Sequence, residues 1–378
     1  MNQRTRKTGR SAARRGMLGS AAVLLLIGLL AGCGQTATTN APTTVAPTKA
    51  ATTVATVAAT TATTATVAAT TATTATVAAT ATAELAQGSA EVGTFAGAPN
   101  LKGKLSLTQL NIAFIPSENA APILTDNKPL LAYLKQVFGI EVTGKVGTSY
   151  SAVIEAMRAG KVDLAFYGPF SYILANTEIK AQALLQGETA DGQQASYTSL
   201  IIVPAASPIK TLADIKGKTF AFVEVASTSG HLVPAYTLLT KANLTEQDYK
   251  PQYTGSHPAS YEAVVSGKVD AGAIASDVFA KGVADGTIDP TKVRIIDTSI
   301  PIPGSPIAIR GEITQADRDL IQQAFLAIND LPADTGVSKR ALFGLGTGAV
   351  KLRVADDAVY NDLRKIPAAL GIDIRSLK

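Results

Sequence analysis

One phrase occurs twice in this 378-residue chain, and it limits the fold more than any other feature. Tyr150 to Arg158 carries apolar residues at helical spacing, then runs through Ala159-Gly160-Lys161-Val162-Asp163 into Leu164-Ala165-Phe166. Tyr261 to Ser266 repeats the pattern and passes through Gly267-Lys268-Val269-Asp270 into Ala271-Gly272-Ala273-Ile274. A helix that stops on glycine and turns directly into an apolar strand is part of a strand–helix–strand unit. Two such units predict two related lobes.

The surrounding rhythm agrees. Apolar runs Leu110–Ile115, Val162–Phe166, Leu200–Val203, Thr219–Val223, Ala271–Ile274 and Val293–Ile296 read as buried strands. Helical patterns lie between them at Lys128–Phe138, Tyr150–Ala159, Phe170–Asn176, Ser229–Ala242, Ala259–Ser266 and Ser276–Val283. This alternation predicts an α/β fold with a mainly parallel sheet, folded from about Leu101 to Lys378. Ligands of open α/β sheets sit at the carboxyl ends of the strands, so two facing lobes would enclose a cleft.

The first hundred residues are of another kind. Residues 1–32 hold six basic side chains and no acid, followed by the apolar run Ala21–Ala31, which describes an export signal. That run is too short for a comfortable membrane span. Arg14-Arg15 lacks the flanking residues of a twin-arginine signal. Cys33, the only cysteine, follows Leu30-Ala31-Gly32 and resembles a bacterial lipobox, which implies an acylated mature N-terminus and a membrane anchor. Residues 33–100 read as a disordered tether: Thr, Ala, Val and Pro dominate, and the decapeptide Thr56–Ala65 recurs unchanged at 66–75. Such Thr-rich stalks are also candidates for O-glycosylation.

The leader also explains the charge. The whole chain has 34 basic and 29 acidic residues, net +5; without the six leader cations the balance is 28 against 29, or −1. The body has no basic patch with interleaved aromatics, so nucleic acid is not an expected partner.

One segment of the body suggests a ligand. Ser227-Thr228-Ser229-Gly230 precedes the apolar-periodic Leu232, Ala235, Leu238, Leu239 and Ala242. Hydroxyls there join the unpaired N–H groups and positive end of a helix dipole in a cradle suited to a small anion. One hydroxyl would suffice for an ordinary cap; three in a row point further.

The body as a whole resembles the substrate-binding proteins of phosphate/phosphite/phosphonate ABC transporters. The matching segments are Thr148-Ser149-Tyr150, Phe166-Tyr167-Gly168-Pro169, Ser227-Thr228-Ser229-Gly230, Gly255-Ser256-His257, Ser276-Asp277-Val278 and Ile302-Pro303-Gly304-Ser305-Pro306-Ile307. The resemblance implies a two-lobed type II periplasmic-binding-protein fold. The points where extended runs leave and re-enter the first lobe place the crossings near Val203–Ala206 and Pro303–Ser305, with 101–204 and 305–378 as lobe 1 and 205–304 as lobe 2. It implies that Tyr150, Tyr167, Ser227, Thr228, Ser229 and His257 hold a phosphorus oxyanion, and that Asp277 occupies a carboxylate position. Ser305 stands where aminoalkylphosphonate binders have Asp, which implies a preference for small ligands over an amine. The implied partners are an ABC permease and its ATPase, with no cofactor. A sulfonate or thiamine-precursor binder, or a ligand-sensing receptor domain, is the alternative.

The chemistry is consistent with capture. Ser, Thr and Tyr hydroxyls can satisfy a P–O group without a salt bridge, and neutral donors desolvate cheaply. His257 and Asp277 are expected to accept from a protonated ligand oxygen and so to reject sulfate. An enzyme is not expected: the chain has two histidines, no Gly-x-Ser-x-Gly elbow, no Walker loop and no zinc-type spacing.

Overall fold

The computed structural model describes residues 94–337, 342 and 344–374. The export signal, Cys33 and nearly all of the expected tether lie outside them.

The strands form two main sheets. The six-stranded sheet contains β1 (Gln109–Phe114), β2 (Glu141–Val146), β3 (Leu164–Phe166), β4 (Gln182–Thr189), β12 (Ile307–Ile309) and β13 (Ala349–Val354), in the order β13-β4-β12-β3-β1-β2. The five-stranded sheet contains β6 (Ser199–Pro204), β7 (Thr219–Phe222), β8 (Lys250–Tyr253), β9 (Ala271–Ala275) and β10 (Val293–Thr298), in the order β10-β6-β9-β7-β8. A short ribbon of β5 (Ser196–Tyr197) against β11 (Ile302–Pro303) runs where the chain passes between them.

The duplicated phrase has one structural meaning in both places. Helix α2 (Tyr150–Arg158) shares a buried cluster with Ala113 and Ala165 of the first sheet, and α5 (His257–Val265) packs on the second. Each ends on a left-handed glycine, Gly160 at φ 69° and Gly267 at φ 71°. The lysine N–H that follows bonds back to the helix at 2.9 and 3.0 Å (Lys161 to Ala156, Lys268 to Ala263). The two aspartates also act alike. Asp163 accepts from the Asn111 N–H at 2.9 Å, and Asp270 from the Thr219 N–H at 2.8 Å. Each thereby holds the start of one strand to the start of its parallel neighbour.

Three expectations need correction. The sheets are mixed, because the strands that enter each sheet from the other run antiparallel: β6 on β9, and β12 on both β3 and β4. The first crossing lies earlier than Val203–Ala206, since β6 bonds to β9 and β10 and belongs wholly to the second sheet. The tether also ends sooner. Phe95 is buried, its ring meets Tyr133 edge-on at 5.7 Å, and Gln136 clasps its backbone at both N–H (2.7 Å) and carbonyl (3.0 Å). Residues 94–100 are part of the folded body, not of a dispensable linker. A chain starting at Pro99 should therefore lose about 3 kcal/mol relative to one starting at Val92. That corresponds to roughly 6–10 °C in melting temperature. Equal melting temperatures in scanning calorimetry would refute the assignment.

Candidate functional site

At the carboxyl ends of β1, β3 and β7 lies a cavity of about 100 Å³. All eight ligand residues expected from the sequence line it: Tyr150, Tyr167, Ser227, Thr228, Ser229, His257, Asp277 and Ser305. Among the described residues, its wall includes two acids, Asp126 and Asp277, and neither Lys nor Arg.

The hydroxyl turn is built by a wide first helical turn. Thr228–Leu232 is π-helical and leads into α4 (Val233–Ala242); the Leu232 N–H reaches back five residues to Ser227. Ser227 caps this turn by accepting from the Gly230 N–H at 3.0 Å, and its hydroxyl lies beside the Tyr150 phenol in the cavity wall. Thr228 Oγ1 accepts from the Phe170 N–H at 2.8 Å, in the first turn of α3 (Pro169–Ile179). Each oxygen used as an acceptor leaves its own proton to donate.

His257 begins α5, whose cap is Ser256. Its Nδ1 accepts from the Ala275 N–H at 3.1 Å, so the ring proton sits on Nε2. Burial pushes its pKa down to about 3, and the ring is neutral at working pH. The expectation that His257 accepts from a ligand is thus reversed: Nδ1 is occupied, and the ring offers a donor. Asp277 lies in the first turn of α6 (Ser276–Ala284), and burial raises its carboxyl to about 6. When ionised it can only accept.

The tyrosines divide differently from the expectation. Tyr150 and Tyr167 are both buried, and desolvation raises both phenols well above the usual range. The Tyr167 hydroxyl, however, lies 3.8 Å from Met157 Sδ, within the core beneath the wall. The phenol that lines the cavity beside Thr228, Ser229 and Ser305 is Tyr197, on β5 of the ribbon. Sequence reasoning missed it. The available signal was its place two residues before Ser199–Pro204, because residues that cross between sheets border whatever the sheets enclose.

Contacts tie the two sides of the cavity together. Glu224 accepts from the Tyr150 N–H at 2.8 Å, capping α2 from the other layer, and burial raises its carboxyl. The His257 N–H donates to the Ser117 carbonyl at 3.1 Å, and Lys281 pairs with Glu118 at 3.1 Å. His231, left out of the expected site, is absent from the wall. Among the described residues no group of His, Cys, Asp and Glu could hold a metal, and no helix is long and apolar enough to cross a membrane.

Comparison with known proteins gives a consistent result. Residues 112–360 match a family described as ABC transporter, phosphonate, periplasmic substrate-binding protein. The phosphonates-binding periplasmic protein of Escherichia coli (strain K12) is 27% identical over 271 residues, covering 70% of this chain and 80% of that protein. The phosphate-import protein PhnD of Mycolicibacterium smegmatis is 32% identical over 209 residues, covering 53% of this chain and 65% of that one. Among solved structures, PhnD1 from Prochlorococcus marinus (MIT 9301) in complex with methylphosphonate superposes with a TM-score of 0.60 at 18% identity, over 70% of this chain and 98% of that one.

Proposed function

The chain belongs to the family of phosphonate ABC-transporter periplasmic substrate-binding proteins, and from that premise we propose that Tyr150, Tyr197, Ser227, Thr228, Ser229, His257, Asp277 and Ser305 bind its ligand. The fold is the two-lobed type II periplasmic-binding-protein fold, with the cleft between the lobes. The ligand is a small phosphorus oxyanion (phosphate, phosphite or an alkylphosphonate), captured outside the cytoplasm for an ABC importer. One observation carries the residue assignment: hydroxyls, a neutral imidazole N–H and the Asp277 carboxyl converge on a cavity with no cation among the described residues of its wall. Neutral donors hold an oxyanion while still allowing release.

The lobe boundaries in this reading fall at β5 and β11, with 94–197 and 304–374 in lobe 1. Tyr167 contributes its ring to the wall and not its hydroxyl. Cys33 carries a lipid anchor to the outer side of the cytoplasmic membrane, and the Thr/Ala segment spaces the body from it; the sequence supports both.

Calorimetric titration of the exported protein with phosphate, phosphite, methylphosphonate and 2-aminoethylphosphonate tests the reading. Ser227→Ala, Thr228→Ala, Ser229→Ala and Tyr197→Phe should each weaken the preferred ligand by about 1–3 kcal/mol, because each leaves an anionic oxygen short of a donor. Tyr167→Phe should change affinity little. With Ser305 where an ammonium would need a carboxylate, the small ligands should exceed 2-aminoethylphosphonate. Ser305→Asp should move the preference toward the amine. Wild-type affinity in all four donor variants would mean that the site is elsewhere.

A further inference from the structure

His231 is the buried titratable group that the ligand site does not use. Its side chain is 2% exposed, directly follows the Ser227–Gly230 turn, and points away from the cavity into the outer layer of the second sheet. There it meets Phe222 edge-on at 4.9 Å and Tyr253 at 5.4 Å. Nδ1 lies 2.8 Å from the Val225 carbonyl, and Nε2 lies 2.8 Å from Glu246 Oε1 and 3.0 Å from the Tyr253 hydroxyl.

We propose that His231 is the positioning residue of the anion cradle: its Nδ1–H clamps the Val225 peptide and thereby sets both ends of the binding turn. A carbonyl can only accept, so the short Nδ1 contact places a proton on Nδ1. The Nε2 neighbours hold that arrangement in either charge state. A charged ring donates from Nε2 to Glu246, and a neutral ring accepts there from Tyr253. Nδ1 donates inward in both, so the clamp does not depend on which state is present.

The clamped peptide lies between two functional contacts. Glu224, one residue before it, caps α2 across the cleft through the Tyr150 N–H. Ser227, two residues after it, caps the π-turn through the Gly230 N–H. The turn is otherwise closed by backbone bonds from Val223 to Gly230 and from Ser227 to Glu224, both 2.9 Å, which span the Val225 peptide without fixing its orientation. Holding the carbonyl outward fixes how Glu224 meets the start of α2 and how Ser227 faces the cavity. The meaning of the clamp for affinity rests on the ligand reading above; the clamp itself does not.

Two variants of the full chain separate positioning from packing. His231→Phe keeps an aromatic ring against Phe222 and Tyr253 but deletes the donor. His231→Asn loses ring contacts but can return an N–H near the position of Nδ1. Hydrogen exchange of ligand-free protein over residues 223–232 should rise at least tenfold in His231→Phe and return most of the way in His231→Asn, although the asparagine variant melts lower. Methylphosphonate affinity should fall about tenfold in His231→Phe and recover in His231→Asn. Exchange that follows melting temperature across the three proteins, or an unchanged rate in His231→Phe, overturns the clamp. Altered exchange with unaltered methylphosphonate affinity overturns its role in positioning. A wild-type protein that binds no phosphorus ligand sinks the ligand reading and the role in the cradle together, while the exchange result still decides the clamp.

Discussion

Gly230→Ala is expected to abolish ligand binding in a protein that still folds. A β-carbon at this position would lie 2.4 Å from Val223 Cβ and 2.7 Å from Ser227 Oγ. Val223 belongs to the chain leaving β7 and cannot retreat without disturbing its backbone bond to Gly230. Ser227 is the softer neighbour, so its hydroxyl is displaced and the cap to the Gly230 N–H is broken. Overpacking of this kind costs about 1–3 kcal/mol of stability. The loss in binding is larger, because the turn carries three hydroxyls and an error at its hinge misdirects all of them. Removing two such bonds to an anion amounts to at least about 3 kcal/mol, or more than a hundredfold. A calorimetric titration and a thermal melt on the same sample check this. Affinity within threefold of wild type would show that the turn is not the anion site.

Asp277→Asn should admit sulfate. In the wild type, the contact between Asp277 and a ligand oxygen needs one proton, on either partner. Phosphonates and phosphite can bring it; sulfate arrives bare. Above about pH 6 the carboxylate is ionised and repels a bare oxygen; below it the carboxyl can donate to one. Wild-type affinity for methylphosphonate should therefore fall in alkaline solution, as the ligand loses its proton with Asp277 already ionised. Sulfate binding should emerge only toward pH 5. An amide donates at every pH, so the variant should bind sulfate at pH 8 and show a flatter profile.

Stability gives an independent check on Asp277. The folded ligand-free protein holds this proton up to about pH 6, whereas the unfolded chain loses it near 3.8. The buried carboxylate therefore destabilises the fold as pH rises through that window. Asp277→Asn should raise the melting temperature at pH 8 and leave it nearly unchanged at pH 4. Continued exclusion of sulfate by the variant would remove Asp277 from the specificity argument.

The parts of the fold legible in the sequence were those with strong local chemistry. The repeated helix–Gly–Lys–Val–Asp units were visible because a left-handed glycine and a strand-bridging aspartate are needed at each copy. The strands that were overlooked lack such marks. All four residues of β8 are exposed, so it has no apolar pattern, and β12 has only three residues. The mixed sheet order was hidden because strand direction depends on where the chain re-enters a sheet, which no local window records. At the site, residues near helix starts were readable through their caps. Tyr197 was not, since a two-residue strand has no period and its neighbours Thr228, Ser229 and Ser305 are remote in sequence. The tether's end was misjudged for a related reason: a lone aromatic at Phe95 joins the core through tertiary contacts alone.

The ribbon of β5 and β11 has a mechanical consequence. Two paired strands resist stretching and sliding but bend and twist with little resistance, as a flexure does between two rigid plates. At Gly304 the flexure is fitted closely to the first plate: a side chain there would strike the Leu345 carbonyl at 1.9 Å and the Ala195 carbonyl at 2.8 Å. The loop from Gly344 to Gly348 thus bears on the flexure itself, and Leu345 also lines the cavity. An importer that docks on both plates would sense a single coordinate, the angle of the flexure. Tyr197 sits on that flexure and also lines the cavity beside the Ser227–Gly230 turn. Occupancy and angle would then be reported through the same side chain.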